Sequence, residues 1–153
     1  MTAPLNVPQQ AMVKLAALTA YGDLVGLEMA LHHGLDSGLT VNEIQEILVQ
    51  LYAYCGFPRS LNALATLMAV VNARRQAGTR DPVGPTASPP PPDWDSLAAG
   101  RDNQTRLVGG PVTGGLFDFA PAIVSFSNRT CLATSFSAMS WTGQHENWRR
   151  LRR

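Results

Sequence analysis

Between Pro8 and Ala77 the apolar positions recur every three or four residues, and the pattern is interrupted only by the short breaks "YGD", "LDSGLT" and "CGFP". Helices joined by connections this short pack as antiparallel neighbours, which leaves a small helical bundle as the available architecture. The expected class is therefore all-α.

Local signals place the individual helices. Pro8 suits the first turn of a helix that carries Met12, Leu15, Ala16 and Leu18 near one face and stops at Gly22. Asp23 can cap a second helix, in which Leu24, Leu27, Leu31 and Leu35 repeat at helical spacing before Gly34 and Gly38 fray its end. In "TVNE", Glu43 follows a Thr40 cap by three residues, the reciprocal capping box, and opens a third helix read through Tyr54 with Ile44, Ile47, Leu48, Leu51 and Tyr52 as its stripe. After Gly56, Pro58 begins a fourth, with Leu61, Leu64, Leu67, Met68 and Val71 expected inward and basic residues in the last turn.

Residues 78–100, "GTRDPVGPTASPPPPDWDSL" and its continuation, are too proline-rich for helix or central strand and read as a linker. Residues 101–126 hold a glycine-punctuated turn and a short apolar helix around Leu116–Phe126. Beyond Phe126 the periodicity disappears.

With 153 residues, 45% of them apolar, one modest domain plus extensions is expected. A net charge of +1 provides no field that would draw the whole chain to nucleic acid or anionic lipid, so neither partner is expected. The start lacks a leader-like basic and apolar segment, and no window reaches the roughly 18 to 20 apolar residues of a membrane span; a cytoplasmic protein is expected. Cys55 and Cys131 are far apart and show no metal-type spacing, which argues against a disulfide framework or a metal site. Gly109, Gly110, Gly114 and Gly115 lack the following GKS or GKT of a phosphate loop.

The segment "GLTVNEIQEILVQLYAYCGFPRSLNAL", preceded by "ALHHGLDSG", resembles the carboxymuconolactone decarboxylase family, which also includes the alkylhydroperoxidase-D-like thiol peroxidases. The resemblance covers roughly residues 8–77, and "NQTRLVGGPVTGGLFDFAPAI" looks like the connector of members that carry two copies of the domain. It implies a symmetric homo-oligomer and, for the lactone enzymes, cofactor-free acid/base chemistry on a small carboxylated lactone or ring substrate.

The peroxidases of the family use Cys-x-x-Cys, a histidine four residues beyond it and a glutamate one helix earlier. An ungapped alignment on Gly38-Leu39-Thr40 puts those positions at Asp23, Gly26, Ala30 and Ala11, so the thiol cycle is not expected here. The decarboxylases depend on a histidine at the position of Ala30. His32 and His33 lie about 200° and 300° further around an ideal helix. Their simplest role is a helix-end cation pair, with His33 the candidate acid/base group. Cys55, in "AYCGFP", is the candidate thiol, although a small buried apolar role explains it as well. Glu28, Glu46 and Asn62 read as helix-surface residues, Glu43 as a cap. Three functions follow: impaired family acid/base chemistry, a peroxidase-like redox protein, or a non-catalytic oligomerising remnant.

The closing "SWTGQHENWRRLRR" can be reverse-translated so that the shifted frame spells L-D-W-x-T-R-E-L-A-T-V-A-A, and the same shift turns "TCLATSF" into L-F-G-D-I-F. Both strings look like pieces of a family domain. The expectation is a frameshift after about Phe126 that replaced a second copy, leaving residues 127–153 as a disordered tail without an evolved fold. The competing reading is a basic tail in which Trp141, Trp148, Arg149, Arg150, Arg152 and Arg153 bind RNA or an acidic lipid surface.

Overall fold

A computed structural model describes residues 4–86 and 92–133. Among the described residues the structure is helical and contains no strand, as the short-loop pattern requires. None of the described helices is long and apolar enough to cross a membrane. The chain divides into two compact units, Met1–Thr86 and Ala87–Arg153.

In the first unit each helix boundary has a local cause. Helix α1 (Val7–Tyr21) starts from Asn6, whose side chain accepts the Gln9 N–H while the Gln9 side chain accepts the Asn6 N–H. It ends at Gly22, a left-handed residue with φ 86°, a conformation that favours glycine. Asp23 caps α2 (Leu24–Asp36), and the Thr40–Glu43 box caps α3 (Val41–Gln50). The third helix does not run on to Tyr54. At Leu51 the hydrogen bonding tightens, with both Tyr54 and Cys55 N–H directed to the Leu51 carbonyl, and a separate turn α4 (Tyr52–Cys55) follows. Gly56, at φ 85°, then turns the chain into α5 (Phe57–Gln76).

Leu15, Leu27, Leu31, Leu35, Leu39, Ile44, Leu48, Leu67 and Val70 fill the core, with Ala11, Ala30 and Ala63 where helices approach closely. Full burial of each large aliphatic side chain is worth about 1.5–3 kcal/mol against exposure. Ser60 is also buried, and its hydroxyl donates to the Leu48 carbonyl (2.7 Å), joining α5 to α3.

Helix α5 buries only part of the stripe expected of it: Leu67 lies in the core with Leu64 and Val71 packed against it, but Leu61 and Met68 turn outward. Ser60, Ala63, Leu67 and Val70 face the core, whereas Phe57, Leu61 and Met68 are 64%, 60% and 64% exposed. Both stripes repeat at helical spacing, so periodicity alone does not choose between them. The structure places the smaller residues inward, which brings α5 close to α2 and α3.

The chain after α5 remains part of the first unit. Across Pro82–Pro85 it runs over the N-terminus of α3: the Pro82 and Val83 carbonyls accept the N–H groups of Val41 (3.0 Å) and Asn42 (2.9 Å). With Thr40 accepting the Glu43 N–H, the first-turn donors that a helix leaves unpaired are all satisfied. The first half of the proline-rich stretch is thus a bonded strap.

In the second unit a helix begins inside the stretch read as linker. Helix α6 (Ser96–Val108) is capped by Asp95, which accepts from Leu97 and Ala98 N–H, and closes at Gly109 with φ 88°. Short helices α7 (Gly115–Phe119) and α8 (Pro121–Ser127) follow. The chain does not stop being helical at Phe126: a π-helical turn spans Asn128–Leu132, and Ala133 is buried. Gly100 of α6 meets this turn so closely that an added Cβ would lie 1.9 Å from the Asn128 carbonyl oxygen. Asn103 donates to the Leu132 carbonyl across the same contact (2.8 Å). The remaining tail, with Trp141, Trp148 and its arginines, lies outside the described residues, as does the "SWTGQHENWRRLRR" of the frameshift expectation, while its "TCLATSF" is described only through Ala133.

Candidate functional site

The four positions that the resemblance assigns to chemistry fall on α1 and α2. Ala11 and Ala30 are 4% and 2% exposed and belong to the apolar core. Neither side chain can exchange a proton. Asp23 is the N-cap of α2, and its Oδ1 accepts the Gly26 N–H at 2.9 Å. An added Cβ at Gly26 would lie 2.4 Å from Asp23 Oδ2. Where the family's redox pair is expected, this chain has a carboxylate cap and the glycine that makes room for it.

The C-terminal end of α2 carries the two histidines, and the structure separates them. His33 is exposed, in the last turn, where a cation complements the helix dipole. His32 is half-buried, with Nδ1 3.3 Å from Arg74 Nη1. A guanidinium has no acceptor, so this contact requires Nδ1 of His32 to be the accepting nitrogen.

Arg74, on the last turn of α5, is the centre of the most developed polar cluster in the first unit. Its Nε donates to both oxygens of Asp81 (3.1 and 2.9 Å), and its Nη2 donates to Asp81 Oδ1 and to Asp36 Oδ1, each at 2.8 Å. The Arg74 and Asp81 side chains are 14% and 7% exposed, whereas Asp36 is 63% exposed. Hydrogen bonds donated to Asp81 and then to Asp36 raise the guanidinium further above its ordinary range. A raised pKa supplies stability that is complete below the unfolded value and is lost only as pH climbs through the folded one, so Arg74 stays charged and clasped throughout the neutral range.

Sequence reading missed this cluster. It marked Arg74 only as one of the basic residues in a helix end, and nothing in the spacing of Asp36, Arg74 and Asp81 announces that two helix ends and a strap converge.

Cys55 is half-buried at the end of α4, and its thiol donates to the Leu51 carbonyl at 3.1 Å. Nearby, the Tyr52 and Phe57 rings stack with centroids 4.8 Å apart. No hydrogen bond among the described residues joins Cys55 to His33. Glu28 and Asn62 are exposed, Glu46 is half-buried, and Glu43 is engaged in the cap. Among the described residues no group of three or more His, Cys, Asp or Glu is placed to hold a metal ion.

No curated protein and no solved structure matches the chain. Residues 2–69 match the model of the Carboxymuconolactone decarboxylase family. That span runs from the start of the chain into α5 and includes all four positions discussed above. Over residues 2–69, within its helical first unit, the chain is therefore similar to the carboxymuconolactone decarboxylase family.

Proposed function

We propose that the first unit is a family domain with impaired chemistry, whose remaining role is assembly rather than turnover. The observation that carries this reading is the fate of the family's chemical positions. Ala11 and Ala30 are core residues, and Asp23 with Gly26 forms a cap. Acid/base catalysis requires a group that can hold a proton within reach of substrate, and none of these four positions offers one in that role. The redox alternative is further weakened because the Cys55 thiol is engaged with a backbone carbonyl.

Assembly as a homo-oligomer is supported by the exposed apolar stripe on α5. Phe57, Leu61 and Met68 recur on one side of the helix and are each more than half exposed. An apolar helix face of this kind is typical of an interaction surface. Whether that surface meets another copy is decided by mass: light scattering of the wild type against Leu61→Arg should show an oligomer that dissociates with its helicity intact. A wild-type monomer would contradict the assembly reading.

The acid/base alternative rests on His33, which is solvent-accessible at the end of α2. Its substrate would be a small carboxylated lactone or ring compound, used without a cofactor. Assays of carbon dioxide release and of thiol-dependent peroxide reduction separate the three readings: turnover lost in His33→Ala supports acid/base catalysis, and peroxide turnover lost in Cys55→Ser supports redox chemistry. Neither activity, in an intact assembly, is the expected outcome.

A further inference from the structure

The strap at the end of the first unit is fastened at two places. At one, the Pro82 and Val83 carbonyls complete the first turn of α3, and the Asn42 side-chain amide donates to the Gly84 and Pro85 carbonyls (3.1 and 3.0 Å). At the other, Asp81 is gripped by Arg74. Polar bonds are the strap's main attachment. Pro82, Val83 and Pro85 are exposed, and none of them enters the core. Segments held by a few polar bonds without apolar anchors open locally at lower free energy than the packed core.

The Arg74 guanidinium is shared. Besides Asp81 it holds Asp36 and His32 on the last turns of α2. We propose that Thr79–Thr86 is a latch, and that its opening and the loosening of the C-terminal turn of α2 are one cooperative event transmitted through Arg74. Asp81 helps to position the guanidinium for Asp36 and His32. When the strap lifts, Arg74 loses the partner that makes most of its hydrogen bonds and becomes free to reorient. The charged and titratable side chains at this junction are His32, His33 and Asp36 from α2, Arg74 and Arg75 from α5, and Arg80 and Asp81 from the strap.

The latch links the chain that continues beyond Thr86 to the helix end bearing His32 and His33. The inference holds whether or not that helix end is catalytic. Its physical basis is that one guanidinium satisfies groups on two segments, so neither segment can move without changing the other's bonding.

Gly84 allows the two fastenings to be tested apart. At φ 81° it lies against Thr40, where an added Cβ would come 2.3 Å from the Thr40 hydroxyl oxygen. Gly84→Ala therefore lifts the strap at α3 without replacing Arg74 or Asp81. Asp81→Asn weakens the other fastening, and Arg74→Lys keeps the charge but loses the fork.

Amide hydrogen exchange of the full chain reads both ends of the latch. In Gly84→Ala and Asp81→Asn, exchange at Val41 and Asn42 should accelerate about tenfold or more. Ser37 and Leu39, whose N–H groups bond to the His33 and Gly34 carbonyls, should accelerate with them while Leu31 and Leu48 stay protected. Arg74→Lys should give the same pattern. Faster exchange at Val41 and Asn42 with Ser37 and Leu39 unchanged would overturn the coupling. No change at either end in Asp81→Asn and Arg74→Lys, with the core protected, would overturn the latch itself.

Discussion

Asp23 accepts the Gly26 N–H at 2.9 Å, and the absence of a side chain at Gly26 is what allows it. This pair occupies the two places where the family resemblance expects redox cysteines. A helix cap and a redox dithiol cannot share those positions, so the cap has consequences for stability and for chemistry.

Removing the cap with Asp23→Ala should cost about 1 kcal/mol, within the usual range of 0.5–2 for this loss. Gly26→Cys should also destabilise, because its Cβ must displace the carboxylate that otherwise lies 2.4 Å away. In the double variant that combines Asp23→Ala with Gly26→Cys the clash disappears with Asp23, so the two losses should be smaller together than their sum. Urea denaturation of the three variants measures this, and strict additivity would show that the side chains do not compete.

The two leucine stripes of α5 make opposite predictions. Leu67→Ala opens a cavity in the core and should cost about 2–5 kcal/mol. Leu61→Ala, at a site 60% exposed, should change the stability of the isolated unit by only about 0.5 kcal/mol. Chemical denaturation at low protein concentration distinguishes the core face from the outer face. Equal losses would mean that the helix is rotated from the orientation described above.

Helix α3 should depend strongly on its first turn. Thr40→Ala removes the acceptor of the Glu43 N–H and should cost about 1 kcal/mol. Glu43→Gln keeps a side-chain oxygen able to accept the Thr40 N–H and should cost less. The midpoint of thermal unfolding orders the two variants, and a larger shift for Glu43→Gln would show that charge, rather than the hydrogen bond, dominates the box.

In the second unit Gly100 is the most constrained position. Gly100→Ala places a methyl group against the Asn128 carbonyl, 1.9 Å from its oxygen before any relaxation. Backbone must move, at a cost of about 1–3 kcal/mol or more. Asn128 itself is fully buried and neither atom of its amide has a hydrogen-bond partner, an arrangement that costs about 1–3 kcal/mol. Asn128→Leu should therefore be tolerated better than Gly100→Ala, as read by the loss of helical signal on heating.

The caps at Asp23 and Thr40 and the glycine stops at Gly22 and Gly56 were legible because each is a local hydrogen-bond or dihedral requirement written in adjacent residues. The inward face of α5 was legible only in part: Leu64, Leu67 and Val71 pack in or against the core as expected, whereas Leu61 and Met68 satisfy a similar period and only tertiary packing turns them outward. Helix α6 was obscured by the prolines before it, although Asp95 and Gly109 are the ordinary start and stop of a helix. The Arg74 junction joins residues distant in sequence, so no local pattern reveals it. As for the candidate site, the resemblance marked Ala11, Asp23, Gly26 and Ala30 as the places where chemical groups would be expected. What occupies those places, two core methyls and a cap, needed the packing.

The most direct test of the central claim is carbon dioxide release from a small carboxylated lactone by the purified full chain, measured beside His33→Ala. No release above the uncatalysed rate is expected from either protein. Release by the wild type that disappears in His33→Ala would contradict that claim and make the exposed end of α2 a working acid/base site.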